Sequence, residues 1–72
     1  MDCLTLKGRG GVTLTLFAPR EVPGGGLEAY AFVVSAPLPR PRTLTVNKKR
    51  YRVPAVPEAC FMLAHVVLPE AT

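Results

Sequence analysis

The sequence predicts one all-β domain over residues 1–72, a small, partly open barrel or sandwich of five or six mostly antiparallel strands. Three observations carry that expectation. Apolar and polar residues alternate with period two at Leu4–Leu6, Val12–Leu16 and Thr43–Val53, and β-branched or aromatic side chains crowd these runs and Leu27–Ala36. Clusters of glycine, proline and asparagine separate them at short intervals. Only residues 58–67 offer a competing helix, so α+β is the alternative fold.

Cys3–Lys7 and Val12–Ala18 read as the first hairpin. Leu4 and Leu6 share a face with Val12, Leu14 and Leu16. Pairing Leu6 with Val12 and Leu4 with Leu14 puts Thr5 opposite Thr13 on the outer face. The turn is then Gly8-Arg9-Gly10, with a glycine in the left-handed position and a G1 bulge. The run Gly8-Arg9-Gly10-Gly11 is not a phosphate loop, which needs a longer glycine frame, Lys-Ser/Thr and a following helix.

Pro19–Gly26 reads as a loop, stiffened by two prolines and loosened by Gly24–Gly26. Leu27–Ala36 is the third strand. Tyr30, Phe32, Val34 and Ala36 occupy one face, and Ala29, Ala31, Val33 and Ser35 the other. Both faces are largely apolar, as in a central strand or one covered on its outer side. Pro37–Arg42, proline at every second position to Pro41, is an extended connector.

Thr43–Val53 is a second hairpin with a cationic tip. A four-residue loop, Asn47–Arg50, pairs Val46 with Tyr51 and Leu44 with Val53 on one face, and Thr45 with Arg52 on the other. A two-residue loop, Asn47–Lys48, would set Lys49 opposite Val46 on the apolar face and require positive φ at Lys48. The four-residue loop keeps like with like and gathers Lys48, Lys49 and Arg50 at the tip. Such a tip also serves simply to keep sheet edges apart by charge.

Pro54–Pro57 is a second rigid break. Glu58–Leu68 is assigned as a strand, because a helix there would be apolar all round. Glu70–Thr72 is a polar tail. The expected core is Leu4, Leu6, Val12, Leu14, Leu16, Tyr30, Phe32, Val34, Leu44, Val46, Val53 and part of Phe61–Leu68.

A chain this short buries only about 60% of its unfolded surface, yet 49% of its residues are apolar. Some apolar surface is therefore expected between molecules, with Ala29, Ala31, Val33, Met62 and Val66 as its candidate residues. Cys3 and Cys60 are read as reduced, small, apolar residues. No signal-peptide pattern is seen and no apolar run reaches spanning length. The expectation is a cytoplasmic or virion chain, not secreted through a signal peptide and without a membrane partner.

Charge is uneven. Arg40, Arg42, Lys48, Lys49, Arg50 and Arg52 are six of the nine cations, and no acid lies between Glu28 and Glu58. One side should be positive and meet nucleic acid or an acidic protein surface.

Catalytic chemistry is not signalled. His65 and Ser35 are the sole residues of their kinds, and the five carboxylates are scattered. Cys3, Cys60 and His65 make at most three soft ligands, short of a closed zinc site. No catalytic residue, metal, cofactor or small-molecule substrate is expected. The pattern points to a non-enzymatic structural or assembly module contacting itself or other proteins of a larger complex, possible settings including a phage-like virion. The alternative is a basic β-barrel binding nucleic-acid backbone through residues 40–52. Against it, Tyr51 faces inward and Tyr30 and Phe32 are assigned to the core, leaving no aromatic for base stacking.

Overall fold

A computed structural model describes residues 2–71. Nine strands follow in order: β1 (Cys3–Lys7), β2 (Thr13–Phe17), β3 (Arg20–Glu21), β4 (Gly26–Ala29), β5 (Phe32–Val34), β6 (Arg42–Val46), β7 (Lys49–Val53), β8 (Phe61–Met62) and β9 (Val66–Ala71). They form one antiparallel sheet, ordered β3-β4-β9-β7-β6-β1-β2-β5-β8, that does not close by hydrogen bonding. Among the described residues no α-helix occurs, and residues 58–67 are extended or irregular.

The sheet is curled by its connections. β3, β4 and β9 stand at one end of the order, and β2, β5 and β8 at the other. Yet β2 leads to β3 through Ala18–Pro19, β4 to β5 through Tyr30–Ala31, and β8 to β9 through Leu63–His65. Three short corners therefore hold the two ends of the sheet together, where a closed barrel would use a ladder. Ala18 takes left-handed φ of 52° at the first corner, and the Phe17 N–H donates to the Ala31 carbonyl at 3.0 Å beside the second.

These corners explain why nine short strands stand where five or six were expected. Leu27–Ala36 divides at Tyr30–Ala31, and Glu58–Leu68 divides at Leu63–His65. The Pro19–Gly26 loop contains β3, which pairs with β4 across a tight turn. Glu70 and Ala71, expected in a tail, extend β9 by pairing with Tyr51 and Arg50. Thr72 lies outside the described residues.

Tyr30 is a correction to the expected core. Leu27 and Ala29 face inward at odd positions, but Phe32 and Val34 do so at even ones. The corner shifts the alternation by one residue, and Tyr30 falls outside, 62% exposed. Of Phe61–Leu68 only Leu68 is buried, with Ala64 and Val66 packed partly against the core.

Both hairpins keep their expected faces and change register. In β1–β2, Leu6 opposes Leu14, Leu4 opposes Leu16 and Thr5 opposes Thr15. Gly8 and Val12 close the loop, so the turn is Arg9–Gly11. Gly10 and Gly11 both have left-handed φ, 78° and 80°. The expected register would have placed Gly11 in the ladder opposite Lys7, where that backbone conformation does not fit a strand.

In β6–β7 the loop is the two-residue one. Val46 opposes Lys49, Leu44 opposes Tyr51 and Thr45 opposes Arg50. Asn47 and Lys48 have φ of 51° and 67°, the positive pair of a type I′ turn, whose twist matches that of the strands. Lys49 is tolerated opposite Val46 because it is exposed, next to the turn, where its charge stays in water. Lys48 carries a left-handed backbone that glycine would adopt without strain. Lys48→Gly is therefore expected to stabilise the domain by about 1 kcal/mol, read as a higher midpoint in urea.

The core lies inside the curl: Leu6, Leu14, Leu16, Leu27, Phe32, Val34, Leu44, Tyr51, Val53 and Leu68, with Val12 and Ala29. Leu38 and Val56 complete it from the two proline-rich connectors. Each donates its N–H to the other's carbonyl, at 2.7 and 2.8 Å. Pro37, Pro39 and Pro57 flank the bridge and lack N–H donors, so it cannot grow into a ladder.

Candidate interaction surfaces

The shorter turn in β6–β7 changes where the cations stand. Tyr51 and Val53 face inward, so Arg50 and Arg52 project from the outer face, opposite Thr45 and Thr43. Across β1–β6, Lys7 opposes Thr45, and the Thr45 hydroxyl donates to the Lys7 carbonyl at 3.3 Å. The outer face thus carries one row of Lys7, Thr45 and Arg50 and a second of Thr43 and Arg52.

The other candidate cations are dispersed. Arg42 is half-buried and its Nη2 donates to the Arg9 carbonyl at 3.1 Å, tying β6 to the first hairpin loop. Lys48 and Lys49 sit at the far turn, and Arg40 is exposed in the connector. Only Arg50 and Arg52 of the six share the outer face of a strand, and Lys7, which sequence reasoning passed over, joins them. Its signal was the alternation of β1, in which Lys7 follows Thr5 on the outer side. Among the described residues no lysine or arginine is paired with a carboxylate; the single ion pair is between His65 and Glu28.

The apolar candidates separate. Ala29 is buried in the core and offers no surface. Val66, opposite it, is half-buried against the core. Ala31 and Val33 are half-buried, and Met62 is partly exposed on β8. The larger exposed side chains are Leu63, Tyr30, Phe61 and Val67, at 80%, 62%, 55% and 44%. Sequence reasoning missed them as a surface because each lies at or beside a corner, where alternation no longer tells in from out.

Three contacts order this region. Phe61 meets Phe17 edge-on, with ring centroids 5.8 Å apart. Tyr30 stacks on His65 at 4.5 Å and 23°, and His65 Nε2 lies 3.4 Å from Glu28 Oε1. Glu28 opposes Val67 across β4–β9, which places Glu28, Tyr30, His65 and Val67 on one outer face. The Tyr30–Ala31 and Leu63–His65 corners link that face to the β5–β8 end. A small cleft lined by Pro57, Glu58, Cys60 and Met62 opens beside it.

The Ser35 hydroxyl accepts from the Thr13 N–H at 2.8 Å and helps extend the β2–β5 pairing. Cys3 and Cys60 are free thiols. Among the described residues no three His, Cys, Asp or Glu side chains converge, and no helix is long and apolar enough to cross a membrane.

No family model matches the chain, and no match is found among curated proteins or solved structures.

Proposed function

We propose that the protein is a non-enzymatic assembly module that makes protein–protein contacts through the β8 end of its sheet. The observation that supports this reading is the exposure of Tyr30, Phe61, Met62, Leu63 and Val67 around two linked corners. Exposed apolar side chains of this size, two of them aromatic and with Glu28 and His65 beside Tyr30, have the make-up of an interface. Burying a Leu or Phe side chain fully is worth about 1.5–3 kcal/mol, so these residues supply a driving force the monomer leaves unused. β8 also ends the sheet, and an edge strand offers backbone groups to an added strand.

Sedimentation tests this. The wild-type chain is expected to run above its 7.8 kDa monomer mass, alone or with a co-purifying protein. Changing Phe61 and Leu63 together to Glu should return it to the monomer and lose that protein. Leu63 is 80% exposed, so its change should move stability by about 0.5 kcal/mol or less, whereas the change at Phe61 also gives up the edge-on contact with Phe17, about 0.5–1.5 kcal/mol. A monomer at the highest concentration, with nothing co-purified and no change on substitution, would overturn the reading.

A further inference from the structure

We propose that the outer face of β6–β7, extended by Lys7 of β1, binds the phosphodiester backbone of nucleic acid. Arg50 and Arg52 are two residues apart on one strand, so their Cα atoms stand about 7 Å apart. Lys7 lies two strands from Arg50 in the same row, about 10 Å away at ordinary strand spacing. Arg50 and Arg52 thus fall within roughly one Debye length at physiological salt, and the field of Lys7 adds to theirs more fully as salt is lowered.

The acids are elsewhere. Glu70, on the adjoining strand, opposes inward-facing Tyr51 and its carboxylate lies toward Gly25. Glu21 and Glu28 are on β3 and β4, Glu58 is in the loop before β8, and Asp2 precedes β1. A face that serves solubility alone intersperses both signs; this one carries only cations and threonines. Guanidinium groups suit phosphate because their fork presents paired donors to its oxygens. The Thr43 hydroxyl, across from Arg52, adds a neutral donor.

Recognition here would be of the backbone and not of base sequence. The hairpin's aromatic, Tyr51, is buried inward, so no ring on this face stacks on a base. Phosphate contacts position a nucleic acid without reading its sequence. Duplex is the favoured source of these phosphates, because single-strand binding leans on stacking.

Fluorescence anisotropy of the full chain with a mixed-sequence DNA duplex and a matching single strand tests the proposal. Binding is expected at low salt, with log K falling against log salt at a slope of about −3 for three or four phosphates. Arg50→Gln with Arg52→Gln should weaken binding about tenfold or more and bring the slope near −1. Arg20→Gln, on β3 at the far end of the sheet, should leave affinity within about twofold. Arg50→Lys with Arg52→Lys, which keeps the charge, should recover most of the binding and guards against a folding defect in the glutamine variant. Dependence on Arg50 and Arg52 with either nucleic acid supports the proposal, and the stronger ligand identifies the source. No binding at micromolar protein, equal loss in the Arg20 variant, or binding of an acidic polypeptide with no nucleic-acid binding would each overturn it.

Discussion

Gly26→Ala is expected to destabilise the domain by about 2–5 kcal/mol, from backbone strain and overpacking together. Gly26 is buried at the start of β4, with φ of 132°. A Cβ there would lie 2.8 Å from the Leu68 carbonyl oxygen and 3.3 Å from the Pro69 Cα. Those atoms belong to the backbone of β9, which pairs with β4 through Gly26–Pro69 and Leu27–Leu68, so neither can swing aside as a side chain would. The whole domain has only about 4–11 kcal/mol to lose, at the usual stability per residue. Gly24→Ala is the comparison: its φ is also left-handed, at 89°, but its Cβ would meet nothing within 4 Å. That variant should lose about 1–2 kcal/mol. Equal losses in urea for the two would show that the close approach of β4 and β9 carries no cost.

Leu38→Ala should cost about 2–5 kcal/mol, the range for a buried leucine whose site cannot collapse. Leu38 has no exposed surface although it sits between two prolines in a connector. Its partner Val56 lies in the other proline-rich segment, and the two are joined by a pair of backbone hydrogen bonds. Rigid neighbours on both sides leave little freedom to fill the cavity. Leu63→Ala, at a leucine that is 80% exposed, should change stability by about 0.5 kcal/mol or less. A Leu38→Ala loss below about 1 kcal/mol would mean that the connectors lie over the core without sealing it.

The two hairpins show how far alternation reads and where it stops. Leu4, Leu6, Leu14 and Leu16 share the expected face, as do Leu44, Val46, Tyr51 and Val53, yet both ladders are displaced by two residues from the expected pairing. Side chains repeat every two residues, so a slip of two leaves each side chain on its face. Turn conformation chose between the registers: left-handed Gly10 and Gly11 in one, Asn47 and Lys48 in the other. For the cationic surface the choice is decisive, because it moves Arg50 from a loop into the ladder beside Arg52.

Tyr30 and Leu38 mark the other limit. Both faces of Leu27–Ala36 are apolar, and nothing local says that the strand breaks at Tyr30 and resumes with its phase reversed. That break is required by the joining of β4 and β5, strands at opposite ends of the sheet order. Leu38 looks like any residue of an extended connector until Val56 is brought to it. The exposure of Tyr30, Phe61, Leu63 and Val67 was hidden for the same reason.

The sequence by itself determined the all-β class, the inward face of each hairpin and the run of cations without acids, since period-two alternation, turn residues and charge are local properties of the chain. Tertiary structure alone decided the registers, the three corners, the Leu38–Val56 plug and which apolar residues stay in water. Those depend on contacts between segments far apart in the chain, whose geometry no local pattern encodes.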